Sequence, residues 1–168
     1  EIIKEKIVDI YPVSGGCIND AKILHTDSGR QFFIKTNYNN LPKMFFNEAN
    51  GLRELVKADA IRVPKVIYVE EDFILLEAIN SSSKPKNSFE NFGRRFAQLH
   101  KYSEKYFGFY ENNYIGSTPQ FNVPDESEKN VWINFYFNKR LKFQFDLAEK
   151  KGYSGIELMK AFSKLEGK

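Results

Sequence analysis

The sequence predicts an α+β fold in two parts. Residues 1–79 read as a five-stranded antiparallel sheet carrying one helix, and residues 80–168 as a linker followed by helices. Three observations predict this. Short β-branched, roughly alternating runs dominate before residue 80. Apolar residues at helical spacing dominate after it. Tight turn signals, Asp27-Ser28-Gly29-Arg30 and Glu71-Asp72, separate successive runs, and connections that short join antiparallel neighbours.

The elements follow in order. Lys6 to Val13 (KIVDIYPV) is a strand ended by Ser14-Gly15-Gly16. Ala21 to Thr26 and Gln31 to Thr36 flank the Asp27–Arg30 turn as a hairpin. Phe45 to Lys57 is a helix, with Phe45, Ala49, Leu52, Leu55 and Val56 at helical spacing. Gly51 weakens it by about 1 kcal/mol relative to Ala. Pro64 opens a fourth strand, Lys65 to Val69, and Phe73 to Leu76 is the fifth. Asn80 to Asn87 is a polar linker. Ser88 then reads as the N-cap of a helix carrying Phe89, Phe92, Phe96, Leu99 and His100. Residues 107–124 are expected to be a long loop and Glu126 to Lys151 one long helix. Gly152 is its C-cap, and a further helix covers Ser154 to Leu165.

At 168 residues the chain can bury a core. A composition of 42% hydrophobic and 28% charged residues excludes a disordered polar tail. No apolar run approaches the length of a membrane span, and no basic-then-apolar leader opens the sequence, which starts on Glu1. Neither a membrane span nor a secretory signal is therefore expected. The net charge of +3, from 25 basic and 22 acidic residues, suits a small anionic ligand. It argues weakly for nucleic acid, which asks for a concentrated basic stripe. One cysteine, Cys17, cannot form an intrachain disulfide and points to a reducing, cytoplasmic setting. The 16 Phe and 9 Tyr are read as core rather than as base-stacking platforms. His100 and Trp132 are expected in the core too.

Four features could carry chemistry. Gly15-Gly16, between two strands, lets backbone amides approach a phosphate; alone, the pair reads as a plain turn. Lys35 lies in the apolar strand Phe33-Ile34-Lys35-Thr36, where an unpaired ammonium is costly to bury; it could equally point to the wet face. Glu48, in the only helix of this half, can reach back to Lys35 and keep it charged, unless it is a solvated face residue like Glu54. Beyond the strand Ile74-Leu75-Leu76, the backbone of Glu77-Ala78-Ile79 could pair with an adenine edge or be a simple strand end. Arg140 is read evenly, as a partner for a carboxylate in the part of the protein beyond these residues or as a solvated residue.

In this order the features resemble the small lobe of the protein-kinase-like fold. The helix Gly93-Arg94-Arg95-Phe96-Ala97-Gln98-Leu99-His100 directly after the linker resembles the aminoglycoside and choline phosphotransferase branch. Within that branch the sequence resembles the fructosamine kinase (ketosamine 3-kinase) family. The segments carrying the likeness are Ser14-Gly15-Gly16-Cys17-Ile18, Phe33-Ile34-Lys35-Thr36-Asn37, Met44-Phe45 with Glu48 and Leu52, Val63-Pro64-Lys65-Val66 and Leu76-Glu77-Ala78-Ile79. Phe107-Gly108-Phe109, Ile115-Gly116-Ser117-Thr118-Pro119-Gln120, Asn122, Trp132 and Lys139-Arg140-Leu141 continue it, and the FG…IGSTPQ-x-N…W portion is its most specific part.

The resemblance implies ATP-dependent phosphorylation of the 3-hydroxyl of ketosamines, which leads to β-elimination and release of the amine in protein repair. It implies that Gly15 and Gly16 cover the phosphates, that Lys35 contacts them and pairs with Glu48, and that Glu77, Ala78 and Ile79 form the adenine hinge. The family's His-Gly-Asp-type loop and its later Mg²⁺-binding Asp have no counterpart here, since the only histidines are His25 and His100. The chain is thus expected to hold the nucleotide lobe and the first helices of an incomplete second lobe. The catalytic base and the Mg²⁺ ligands are expected beyond Lys168, and transfer by these residues alone should be inefficient. Cys17, at the expected loop tip near basic groups, is read as open to oxidation, including a Cys17-linked homodimer, or else as an inert loop thiol. The alternative functions are a phosphotransferase for another small hydroxylated substrate and a non-catalytic nucleotide-binding or redox-sensing module; a nucleic-acid binder is disfavoured.

Overall fold

The structure is a computed structural model that describes residues 2–14, 19–37, 41–153 and 155–166. Gly15, Gly16 and Cys17 lie outside the described residues. The chain divides into two compact units, Glu1–Ser103 with Asn113–Thr118, and Glu104–Asn112 with Pro119–Lys168.

The first unit is built on a sheet of β1 (Ile7–Pro12), β2 (Asp20–Thr26), β3 (Gln31–Thr36), β4 (Val66–Val69) and β5 (Phe73–Glu77). The spatial order is β1-β2-β3-β5-β4, with every pair antiparallel. Short connections explain the order: β2 and β3 pair from Asp20↔Thr36 to His25↔Gln31, closed by the Thr26 amide donating to Arg30 O at 3.0 Å. Successive side chains on a strand point to opposite faces, so the sheet sorts its apolar residues into two clusters. On one face Ile74 and Leu76 pack with Phe33, Val66 and Val69 against Phe45, Ala49 and Leu52 of α1 (Met44–Lys57). On the other face Leu24, Phe32 and Leu75 pack with Ile3, Ile34 and Phe73.

α2 (Ser88–Leu99) starts one residue differently from the sequence reading: Ser88 is the first helical residue, and Asn87 precedes it without a side-chain cap. Its stripe of Phe89, Phe92 and Phe96, expected in the core, is 76%, 55% and 45% exposed. His100 is exposed as well, its ring edge-on to Phe96 at 4.3 Å and its Nδ1 2.8 Å from Phe96 O. Helical periodicity reveals an apolar stripe but not what covers it, and no described residue buries this one. The expected loop over 107–124 contains two short strands, β6 (Asn113–Ile115) and β7 (Thr118–Gln120), which form a two-stranded sheet.

In the second unit the long helix begins at Trp132 rather than Glu126. It runs as α3 (Trp132–Tyr136), a π-helical stretch (Phe137–Lys142) and α4 (Phe143–Lys150). Residues 126–130 are held as turns instead, because the Glu128 carboxylate, 1% exposed, is committed there. It accepts from the Asp125 amide at 2.8 Å and Asn138 Nδ2 at 2.9 Å, and pairs with Lys139 at 3.3 Å. The helix end is as expected: the Tyr153 amide donates to Ala148 O at 2.8 Å and the Gly152 amide to Glu149 O at 2.9 Å, a paired cap of the last carbonyls. α5 (Ile156–Glu166) brings Phe162 flat onto Phe145, with centroids 4.0 Å apart. Trp132, expected in the core, is 50% exposed, whereas Phe135, three residues on, is buried.

Candidate functional site

The site is built by two periodicities meeting on one face of the sheet. Lys35 lies two residues after Phe33 and therefore shares its face, the one covered by α1. It pairs across the ladder with Ile74, which is fully buried. On α1, Phe45, Ala49 and Leu52 form the stripe pressed on the sheet. Met44, Asn47, Glu48 and Gly51, spaced at i, i+3, i+4 and i+7, form the neighbouring stripe. The two elements bring Lys35 Nζ within 2.6 Å of Glu48 Oε1, to which it donates a hydrogen bond. Both side chains are about a quarter exposed, at 25% and 27%. They are thus close enough to solvent for a ligand to reach them, and sheltered enough for the contact to be stronger than a surface ion pair.

An open cleft of about 320 Å³ adjoins the pair, lined by Asn19, Lys35, Met44, Asn47, Glu48, Gly51, Asn113, Tyr114 and Gly116. All of these belong to the first unit. Tyr114 is tied down by its hydroxyl, which donates to Pro42 O at 3.2 Å. Asn37, 5% exposed and two residues beyond Lys35, donates from Nδ2 to Asn19 Oδ1 at 2.7 Å. That bond fixes the residue that follows 15–18 beside the end of β3. Among the described residues no group of three or more His, Cys, Asp or Glu side chains is placed to hold a metal ion. Among the described residues the one carboxylate lining the cleft, Glu48, is engaged by Lys35. These residues do not make a metal site by themselves.

The remaining expected residues sit at the far end of β5. The Glu77 amide donates to Lys65 O at 2.8 Å. Its carboxylate accepts from Arg62 Nη2 at 2.6 Å and from the Lys65 amide at 3.3 Å. Among the described residues no backbone carbonyl accepts from the amides of Ala78 and Ile79. The Arg62 guanidinium and the Lys65 amide hold the Glu77 carboxyl below the ordinary carboxylate range. A depressed acid contributes stability that is present above its ordinary value and is lost as pH falls towards the lowered one. Urea denaturation between pH 7 and pH 3 should accordingly show a shallower acid loss in Arg62→Gln than in the parent, and superimposable acid limbs would contradict the assignment.

Sequence reasoning passed over Asn19, Asn47, Asn113 and Tyr114 as cleft residues. Asn47 was detectable, because it shares the α1 stripe of Glu48. Asn113 and Tyr114 were not, since their place depends on β6, which the sequence reading took for loop. Arg140 is not a solvated residue, and among the described residues its partners are carbonyl and amide oxygens. Half-buried in the second unit, it donates to Phe121 O at 2.6 Å, Asn122 Oδ1 at 2.7 Å and Lys139 O at 3.0 Å, over the Phe135 ring at 5.1 Å.

The fructosamine kinase family model matches residues 2–167. The chain belongs to the fructosamine kinase family. Its relatives include the "Protein-ribulosamine 3-kinase, chloroplastic" of Arabidopsis thaliana, 41% identical over 159 residues, covering 90% of this chain and 47% of that protein. The protein of the same name from Oryza sativa subsp. indica is 39% identical over 153 residues, covering 87% and 43%. Among solved structures, the "Putative fructosamine-3-kinase" of Haemophilus somnus 129PT superposes with a TM-score of 0.77 at 27% identity, over 91% of this chain and 52% of that one. The chain spans about half the length of the curated relatives it matches. The family's fold accounts for the α+β arrangement, with its five-stranded antiparallel sheet, one covering helix and further helices.

Proposed function

We propose that this chain is the ATP-binding part of an ATP-dependent ketosamine 3-kinase, with residues 1–79 as the nucleotide lobe and 80–168 as linker and part of a helical lobe. The observation that carries the reading is the Lys35–Glu48 pair at 2.6 Å, on the covered face of the sheet and beside a polar cleft, in a member of the fructosamine kinase family. Lys35 acts on the nucleotide phosphates as a point charge, and Glu48 holds it in place through their contact at 2.6 Å. The backbone of Gly15 and Gly16 covers the phosphates. The backbone amides of Ala78 and Ile79, next to Glu77, meet the adenine edge. In the reaction, the acceptor's 3-hydroxyl oxygen bonds to the γ-phosphorus, the bond to the bridging β-γ oxygen breaks and ADP leaves. The general base that takes the hydroxyl proton, and the ligands of Mg²⁺, come from residues outside this chain.

The relatives named ribulosamine 3-kinase favour a ketosamine acceptor over an aminoglycoside or choline. No helix among the described residues is long and apolar enough to cross a membrane. The single cysteine fits a reducing compartment, of which the cytoplasm is one and the chloroplast named for the plant relatives another. The deciding experiment is mass-spectrometric detection of phosphate transfer from Mg·ATP to ribulosyl-lysine by the protein as its gene encodes it. A product heavier by one phosphate is expected. ATP binding without that product would reassign the acceptor.

A further inference from the structure

α1 carries Glu48 near its start, and the helix does little to secure that start by itself. Lys43, in the N-cap position, lies in the left-handed region at φ +57° and makes no side-chain cap bond, and the first turn holds no acidic residue. The amides at a helix N-terminus lack intrahelical partners, and here neither a capping side chain nor a favourable charge serves them. The backbone closes a turn there, with the Met44 amide donating to Leu41 O at 3.1 Å and the Asn47 amide to Lys43 O at 2.8 Å. Phe45 and Ala49 press one stripe of the helix onto the sheet. Such apolar contacts are non-directional, so they hold the helix down without setting its rotation. Two side chains from other elements reach this end. Asn37 Nδ2 donates to Met44 Sδ, a weak acceptor, at 3.5 Å. The Tyr114 hydroxyl donates to Pro42 O at 3.2 Å, between residues 72 apart in sequence. Tyr114 comes from β6, which packs against α1 within the first unit.

We propose that Tyr114 is a positioning residue for the Lys35–Glu48 pair: by holding the Pro42 carbonyl, its hydroxyl fixes the start of α1 and with it the place of the Glu48 carboxylate beside Lys35 Nζ. The proposal rests on the reading that Lys35 meets the nucleotide phosphates. Glu48 is the fifth residue of α1, about 6 Å along the axis from Met44, so a movement of the helix start reaches it almost undiminished. The contact it must keep is 2.6 Å long, and a hydrogen bond of this kind extends only to about 3.2 Å. A shift of about 1 Å at the start of α1 is therefore enough to weaken it. Tyr114 acts on the nucleotide only through Glu48, which separates its role from that of a residue touching the phosphates.

The test uses the protein as its gene encodes it and compares the parent with Tyr114→Phe, Glu48→Gln and the double variant. Tyr114→Phe keeps the ring and removes only the hydroxyl. In phosphate transfer from Mg·ATP to ribulosyl-lysine it should lower kcat/KM for ATP about three- to fivefold, the effect of one hydrogen bond. KM for ribulosyl-lysine should stay within about twofold, and the thermal midpoint within about 3 °C. In the Glu48→Gln background the same substitution should cost less than about 1.5-fold, because the two residues act in series. Amide hydrogen exchange should quicken at Met44 and Asn47 and stay unchanged at Leu55 to Lys57. A full repeat of the loss in the double variant would show that Tyr114 does not act through Glu48, and unaltered exchange at Met44 and Asn47 would remove the positioning role. A parent that binds Mg·ATP but transfers nothing to ribulosyl-lysine overturns the ketosamine reading alone. The four proteins are then compared by their Kd for Mg·ATP, where equal values for the parent and Tyr114→Phe overturn the proposal. A parent that does not bind Mg·ATP overturns both.

Discussion

Replacing Lys35 with methionine is expected to lower kcat/KM for ATP by about 100-fold or more, while leaving the protein folded. Methionine preserves the length and apolar stem of the side chain and deletes only the charge. The stem packs beside Phe33 and Ile74, so the sheet should keep its form. The deleted charge is the one that would stabilise the phosphates, and removing a single preorganised electrostatic contact at a reacting centre typically costs about 10²–10³ in rate. Glu48→Gln should be milder, about tenfold, because the ammonium remains and only its tether at 2.6 Å is weakened. Lys35→Arg should not rescue, since a planar guanidinium does not fit a position shaped for a compact ammonium against α1. Thermal midpoints separate the two effects. The pair is about a quarter exposed, so breaking it should cost under about 2 kcal/mol, well below what a fully buried pair would show. A Lys35→Met protein with near-normal kcat/KM would show that the nucleotide phosphates lie elsewhere.

The position of that pair was legible in the sequence because both of its elements have clean periods. Phe33 and Lys35 share a face by strand alternation, and Phe45, Ala49 and Glu48 fall on adjacent stripes of one helix. The two tight turns made the β2–β3 and β4–β5 pairings legible, but not that β5 rather than β4 lies beside β3. Legibility failed where a single side chain overrides its neighbourhood. Residues 126–130 have helical composition, yet the Glu128 carboxylate is satisfied by the Asp125 amide, Asn138 and Lys139, and that constellation keeps them in turns until Val131. It failed again at Phe89, Phe92 and Phe96, whose spacing defines a stripe but carries no information about its covering. In the cleft, Asn47 was within reach of pattern reasoning. Asn113 and Tyr114 were not, because they are brought to α1 by chain far away in sequence.

The second large effect concerns Gly108, within the Phe107-Gly108-Phe109 segment that carries much of the family likeness. Its φ is +97°, and a Cβ there would lie 2.3 Å from Asn122 O, 2.9 Å from Phe135 Cε2 and 3.1 Å from Pro124 Cδ. None of these neighbours can easily withdraw. Asn122 O accepts from the Phe109 amide at 2.9 Å, and the Asn122 amide donates to Asn112 Oδ1 at 2.8 Å. The Asn122 side chain donates to Glu111 O at 3.2 Å and accepts from Arg140 at 2.7 Å, while Phe135 is 2% exposed beneath the guanidinium. Gly108→Ala should therefore incur both a left-handed backbone penalty of about 1–2 kcal/mol and an overlap cost of about 1–3 kcal/mol. Together these come to about 2–5 kcal/mol, or a fall on the order of 10 °C in thermal midpoint for a chain of this size. Gly116 supplies the internal control. Its φ of +59° carries the backbone penalty, but nothing lies within 4 Å of the added Cβ. Gly116→Ala should thus cost about 1 kcal/mol, and the difference between the two variants isolates the clash with Asn122 O. Equal midpoints for both would mean that the 107–109 segment moves away from Asn122 as a body, and that the bonds tying Asn122 to residues 109, 111, 112 and 140 do not hold it in place.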